Sequence, residues 1–153
     1  MRVVTFSQRH LVIALFLGLI GCGGRQPQIA AVPAPDRPEA TVDEFLTAAN
    51  RNDLDRMAML WGDADGPSSV TNKIPLEQRQ QRLQIMQRLL RNDSRTLTVT
   101  DSNQAGRRVV SASLLQGTRR FVVPFTCVTA RTGGWLINDV GLEAAMPARN
   151  SGN

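Results

Sequence analysis

The chain has 153 residues, which is the size of one ordinary domain and excludes a second full one. An apolar content of 42% suffices for a modest core and excludes disorder throughout, and the charge of +5 comes from 18 Lys and Arg against 13 Asp and Glu. His10 is the only histidine and there is no tyrosine. If the amino-terminal residues that contain His10 are removed, most side-chain catalysis is excluded.

The first 21 residues have the three parts of a secretory signal. A basic stretch with Arg2 and Arg9 precedes an apolar run over residues 11–20 and then a small-residue processing site. The apolar run is too short to cross a bilayer core of about 30 Å as a helix. We therefore expect residues 1–21 to be an export signal.

The processing site, Leu19-Ile20-Gly21-Cys22, resembles the lipobox of bacterial lipoproteins. The resemblance implies that the Cys22 thiol is acylated and that cleavage leaves Cys22 as the mature amino terminus. We expect a lipid-anchored protein of the cell envelope. Because Gly23 stands where an Asp would retain such a protein in the inner membrane, a host with two membranes would carry it on the periplasmic face of the outer one. An ordinary signal peptide that ends in Cys and an uncleaved anchor remain open.

Residues 22–40 are rich in Gly, Pro and Ala and contain four of the eight prolines: Pro27, Pro33, Pro35 and Pro38. Proline favours extended, hydrated backbone, so this segment is predicted to be a disordered tether that does not pack. Residues 41–145 are the predicted domain, and residues 146–153 are a polar, frayed tail.

Three helices are predicted at the start of the domain. Residues 41–44 have the sequence Thr-Val-Asp-Glu of a capping box, which predicts that the first helix begins there. Asn52 or Asp53 caps a second helix, and Pro75 opens a third that ends near Asn92. Residues 62–73 are predicted to be a polar loop. Helical spacing predicts these buried positions: Val42, Phe45, Leu46, Ala49, Leu54, Met57, Ala58, Trp61, Leu76, Leu83, Met86 and Leu90, with Ile85 and Leu89 in support.

The period then changes from helical to two, which predicts strands over residues 97–99, 107–115, 119–130 and 134–142. The last three form an antiparallel meander. In its middle strand, Pro124 favours a bulge or an edge, while one face carries Phe121, Val123, Phe125 and Cys127. The fold class is therefore α+β, with amino-terminal helices packed on a curved antiparallel sheet. We interpret Cys127 as a small buried hydrophobe.

The chain resembles the nuclear-transport-factor-2-like superfamily, particularly its small lipoproteins of unknown function. The resembling pieces are, in order, residues 42–46 (VDEFL), residues 52–55 (NDLD) with Trp61, residues 122–125 (VVPF) and residues 133–137 (GGWLI). The resemblance implies a cone, in which a curved sheet wraps around the helices and leaves a pocket at the open end. The best candidates for the pocket wall are Trp61, Phe121, Phe125 and Trp135.

Enzymes of this superfamily work with Tyr, His and Asp, and the chain after residue 21 has neither Tyr nor His. One hydrolase branch uses Asp and Arg instead. The only catalytic candidates are Asp139 or Asp101 with an arginine such as Arg107 or Arg119. Alternation places Asp139 on the face of Trp135 and Ile137, where it would point into the cone, and the alternative is a rim or solvent-facing strand residue. Without His and with one remaining thiol, no metal site and no cofactor are predicted.

Charge is segregated along the chain, with eight acids and three arginines over residues 36–65 but ten arginines and two acids over residues 79–131. We expect a non-catalytic envelope lipoprotein that binds an apolar small molecule or an envelope protein. The alternatives are a hydrolase or isomerase that uses Asp139, and an arginine-rich adaptor on anionic envelope surfaces. Because the chain carries an export signal, nucleic acid is not an expected partner.

Overall fold

The structure, a computed structural model, describes residues 33–101 and 104–147. The predicted signal, the lipobox residues Leu19, Ile20, Gly21 and Cys22, the first part of the tether and most of the tail lie outside the described residues. Within the described part, none of the helices has the length and apolar character needed to cross a membrane.

Helices come first and a four-stranded antiparallel sheet follows, which confirms the α+β class. The helices are α1 (Pro38–Arg51), α2 (Leu54–Leu60), α3 (Ser68–Thr71) and α4 (Leu76–Leu90). A small hairpin, β1 (Gly62–Asp63) and β2 (Gly66–Pro67), stands between α2 and α3. The sheet consists of β3 (Ser94–Asp101), β4 (Arg107–Gln116), β5 (Arg119–Thr129) and β6 (Trp135–Val140), and a 3-10 turn, Leu142–Ala144, follows it.

Helix α1 begins at Pro38, so the predicted capping box at residues 41–44 is wrong. Proline suits a first helical position because it has no N–H to satisfy and its φ is already helical. Thr41 is fully buried inside the helix, where its hydroxyl lies 3.1 Å from the Arg37 carbonyl oxygen and 3.2 Å from that of Trp135. The last three residues of the predicted tether therefore belong to the first turn of α1.

The residues just before α1 also contact the domain, contrary to the prediction of an unpacked tether. We call residues 33–35 the strap. The Trp135 amide donates to the Pro35 carbonyl at 2.8 Å, and the Arg56 guanidinium reaches the Pro33 carbonyl at 3.4 Å. Gly134 accommodates this contact, since a Cβ there would lie 2.7 Å from the Ala34 carbonyl oxygen. The strap therefore lies at the end of the sheet where β6 begins.

Helix α2 starts as predicted, with the Asp53 carboxylate accepting from the Arg56 amide at 2.9 Å. Helix α4 follows Pro75 and buries Leu83, Met86 and Leu90, also as predicted. Leu76 and Ile85 differ from the prediction, since they are 58% and 42% exposed. Ile85 lies off the narrow stripe that contacts the core, whereas Leu76 is aligned with this stripe but stands at the first residue of α4.

The segment predicted as a polar loop, residues 62–73, instead holds β1, β2 and α3. Its hairpin depends on Gly62, where a Cβ would lie 2.2 Å from the Gly66 carbonyl oxygen. Asp63 and Asp65 at the hairpin turn both bind the Lys73 ammonium group. This segment has no periodic apolar pattern. It is ordered instead by the close backbone contact of Gly62 with Gly66 and by the ion pairs of Lys73.

The sheet has the order β3-β4-β5-β6, so the meander extends to all four strands. Alternate residues of β5 point into the core as predicted: Phe121, Val123, Phe125 and Cys127. Phe125 has no exposed surface and meets Phe45 of α1 edge to face, with ring centroids 6.3 Å apart. The core thus lies between one face of the sheet and the helices.

A bulge in β6 gives Asp139 the solvent-facing orientation and not the inward one that simple alternation with Ile137 would give. Cys127 pairs with Ile137, but Thr126, the residue before Cys127 in β5, pairs with Asp139, so Asn138 is an extra residue in β6. The insertion changes which residues share a face, because side chains alternate along a strand. Asp139 consequently lies on the outer face with Thr126 and is exposed, whereas Ile137 faces the core.

Pro124 does not itself form a bulge, since its pairing with Ser111 of β4 is in register. On the other side of β5, the pairing with β6 ends at Phe125–Val140 and does not reach Pro124. The Pro124 carbonyl then accepts from the Gly141 amide at 2.9 Å. The proline therefore stands where the neighbouring strand ends, which is a local edge.

Candidate functional site

Trp61 stands at the junction of the helices and the sheet. It ends α2, with its amide 3.0 Å from the Met57 carbonyl, and forms an isolated parallel bridge with Ile137 of β6. Its own carbonyl accepts from the Ser68 amide at 2.7 Å. Its backbone is thus held by three elements, while the indole remains half-buried.

A groove of about 370 Å³ opens beside this indole, between α4 and the end of β6. We call it the Trp61 groove, and its lining residues are Trp61, Arg82, Ile85, Met86, Asn138, Asp139, Val140 and Leu142. Of these, Trp61, Val140 and Leu142 are partly buried and pack against the core, whereas Ile85 is 42% exposed. The groove therefore presents an apolar surface that the fold leaves open to solvent.

A smaller cavity of about 200 Å³ shares Trp61, Arg82 and Asn138 with this groove and is more polar. The Asn138 amide donates to the Gly62 carbonyl at 3.2 Å. Lys73, also in the wall, lies 2.7 Å from Asp63, and this hydrogen bond is the main cause of a lowered pKa for Asp63 and a raised pKa for Lys73. Both groups are therefore charged at neutral pH and paired with each other.

Arg82 stands where the two cavities meet, and it is exposed. It forms no hydrogen bond or ion pair within residues 33–101 and 104–147. The guanidinium group is thus a cation at the rim of an apolar groove, where it can bind a carboxylate or phosphate with paired hydrogen bonds.

The other predicted wall residues lie elsewhere. Phe125 is fully buried in the core, and Phe121 is 8% exposed beneath the Arg119 guanidinium, which lies 4.7 Å from its ring centre. Trp135 is half-buried at the opposite end of β6, beside the strap. Of the four predicted residues, Trp61 alone lines the groove.

Asp139 borders the groove from its exposed position on β6. Among the described residues it pairs with no arginine. Arg107 donates instead to Gln104 and Asn138, and Arg119 to the carbonyls of residues 144–146. Asp139 and these arginines therefore form no charge pair in the described part of the chain.

Cys127 lies under the sheet and has no exposed surface. Burial, with a smaller contribution from the Glu39 carboxylate, raises the pKa of its thiol to about 12. A protonated, inaccessible thiol is neither a nucleophile nor a metal ligand at neutral pH, which agrees with its interpretation as a small hydrophobe.

Sequence reasoning did not place Arg82, Ile85 and Asn138 beside Trp61. The position of Ile85 off the main stripe of α4 was a weak indication of exposure, but nothing in the sequence shows which part of β6 faces it.

Within the described ranges, no three His, Cys, Asp or Glu side chains are grouped closely enough to hold a metal ion. In comparisons with known proteins, no family model, no curated protein and no solved structure matches the chain.

Proposed function

We propose that the protein is a non-catalytic envelope lipoprotein, anchored through acylated Cys22, with a cone-like domain of the nuclear-transport-factor-2-like type. The domain binds a small amphiphile whose apolar part enters the Trp61 groove and whose anionic group meets Arg82. One observation carries the proposal: an open apolar groove of about 370 Å³ has an arginine without an acidic partner among the described residues at its rim.

The shape and chemistry of the groove support this ligand class. Its volume lies near the lower end of the range of roughly 300–1,000 Å³ that is usual for small-molecule pockets. The exposed part of Ile85, together with Trp61 and Leu142, gives an apolar ligand surface to cover. Lys73 is already paired with two aspartates, so Arg82 is the cation available to an anionic group.

A fluorescence titration tests the ligand. In the chain with Cys22→Ala and Trp135→Phe, Trp61 is the only remaining tryptophan, since the protein has two. We expect decanoate to shift its emission to shorter wavelength with saturation, because an acyl chain would displace water from the indole. Ile85→Asp should weaken decanoate binding about tenfold, which corresponds to about 1.4 kcal/mol.

Two comparisons sharpen this test. Arg82→Ala should weaken the binding of decanoate but leave that of decanol unchanged, since only decanoate carries a charge. Arg88→Ala on the same helix is the matched control, because Arg88 does not line the groove. An emission that does not saturate, or binding indifferent to Ile85→Asp, would contradict the proposed ligand and leave a protein partner as the occupant.

The anchor has its own test. The wild-type chain is expected in the membrane fraction with the mass of a diacylglyceryl group on Cys22, because two acyl chains hold a protein on a bilayer far more firmly than one. Cys22→Ala should abolish the added mass, and Cys127→Ala should not. A wild-type protein that stays with the membrane without the added mass would show an uncleaved anchor instead.

A further inference from the structure

A second cleft lies where the ends of α1 and α4 meet the turn between β4 and β5. We call it the arginine cleft. It has a volume of about 650 Å³ and is lined by Asn50, Arg88, Arg91, Asn92, Asp93, Gln116 and Gly117. It shares no lining residue with the Trp61 groove.

The walls of the arginine cleft are held by hydrogen bonds that do not involve its arginines. The Asn50 amide donates to the Asn92 carbonyl, and the Asn92 N–H donates to the Asn50 side-chain oxygen, both at 2.9 Å. Asp93 joins the turn, accepting from the Gly117 amide at 2.7 Å and donating its own amide to Leu115 at 2.8 Å. The cleft is therefore fixed before any ligand enters it.

The arginines of the cleft differ from others of the same basic region. Arg95 pairs with Asp43 at 2.8 Å, and Arg79 donates to the Ser68 carbonyl at 2.7 Å. Arg88 and Arg91 have no hydrogen-bond or ion-pair partner in the part of the chain that the structure describes. Arg88 lies in the last turn of α4 and Arg91 directly follows the helix, so two like charges line the same cleft and repel, and the carboxyl end of α4 offsets only part of this cost. An anion between them would remove the repulsion.

The hydrogen-bond acceptors beside the arginines, which include the Asp93 carboxylate, favour a ligand that carries donors as well as an anionic group. The Gln116 side chain has no hydrogen-bond partner among the described residues, and Asn92 Oδ1 is a buried acceptor without one. Asp93 uses only Oδ2 in its bond to Gly117. Free acceptors next to two cations match a ligand that carries hydroxyl donors beside an acidic group.

We infer that the arginine cleft binds an acidic saccharide, with its carboxylate or phosphate on Arg88 and Arg91 and its hydroxyls on Gln116, Asn92 and Asp93. The position of the cleft suits a polymer of the envelope. It lies beyond the start of β5, whereas the strap lies beyond the other end of the sheet. Ten steps of about 3.3 Å along β5 separate the two ends by about 33 Å. The cleft is thus remote from the tethered end.

Calorimetric titration of the Cys22→Ala chain tests this site. Trigalacturonate supplies carboxylates, glucose 6-phosphate supplies a phosphate, and maltotriose is the neutral control. We expect at least one acidic probe to bind and maltotriose not to bind. Arg88→Ala and Arg91→Ala should each weaken binding about tenfold, with the melting temperature unchanged within a few degrees. The acidic probe that binds identifies the anionic group.

Arg82→Ala is the matched control, since it removes one exposed α4 arginine outside the cleft. Equal weakening by Arg82→Ala would show attraction to overall charge and overturn the site. Absence of binding by both acidic probes, or equal binding of maltotriose, would overturn it as well. If Arg88→Ala lowers stability markedly, Arg88→Gln and Gln116→Ala provide the same comparison without removing the whole side chain at position 88.

Discussion

Phe125→Ala is expected to lower the free energy of unfolding by about 3–5 kcal/mol. The ring is fully buried and meets Phe45 edge to face at a centroid distance of 6.3 Å, so its loss removes apolar contacts and leaves a cavity between α1 and the sheet. Against a typical domain stability of about 5–15 kcal/mol, this is a large share. Urea unfolding followed by circular dichroism measures it.

Val122→Ala is the matched control for this prediction. It lies three residues away on the same strand, but its side chain is on the outer face and 51% exposed. We expect a change within about 0.5 kcal/mol. Comparable losses in the two variants would show that the face assignment of β5 is wrong.

Gly62→Ala is expected to destabilise the protein by about 1–3 kcal/mol, or more if the hairpin separates. The new Cβ would lie 2.2 Å from the Gly66 carbonyl oxygen and 2.9 Å from the Pro67 Cα, and both are backbone atoms that cannot rotate away. The Gly62 carbonyl also accepts from Asn138 in the wall of the Trp61 groove. Thermal unfolding and Trp61 emission in the Trp135→Phe background measure both effects.

Gly117→Ala separates a loss of stability from a change in Trp61 emission. Its φ of +59° makes alanine strained by about 1–2 kcal/mol, yet nothing lies within 4 Å of the new Cβ. We expect a loss of stability with unchanged Trp61 emission. If Gly62→Ala likewise left the emission unchanged, the hairpin would not shape the groove.

The sequence predicted the elements whose signal is local. The stripe Leu83, Met86 and Leu90 and the alternation along β5 each follow from one periodic segment packed against one core. The Asp53 cap likewise needs only the amide of Arg56. These predictions held because no distant residue competes with them.

Predictions that depended on a distant partner were wrong. Helix α1 begins at Pro38 and not at the capping box predicted at Thr41. The Thr41 hydroxyl instead lies near the carbonyl of Trp135, 94 residues away. The face of Asp139 depended on one inserted residue, Asn138, which no alternation pattern reveals. The Trp61 groove requires the placement of α4 beside β6, so its wall could be predicted only at Trp61.

The strap determines how a pull on the tether would act on the domain. Eleven residue steps separate Cys22 from Pro33, which at about 3.5 Å each allow a reach of about 38 Å. Tension from an anchored Cys22 would first load the contact of Pro33 with Arg56 and then the hydrogen bond between Pro35 and Trp135. Both contacts precede α1 in the chain. In the proposed lipid-anchored protein, the strap would therefore yield a few residues of slack before the load reaches α1.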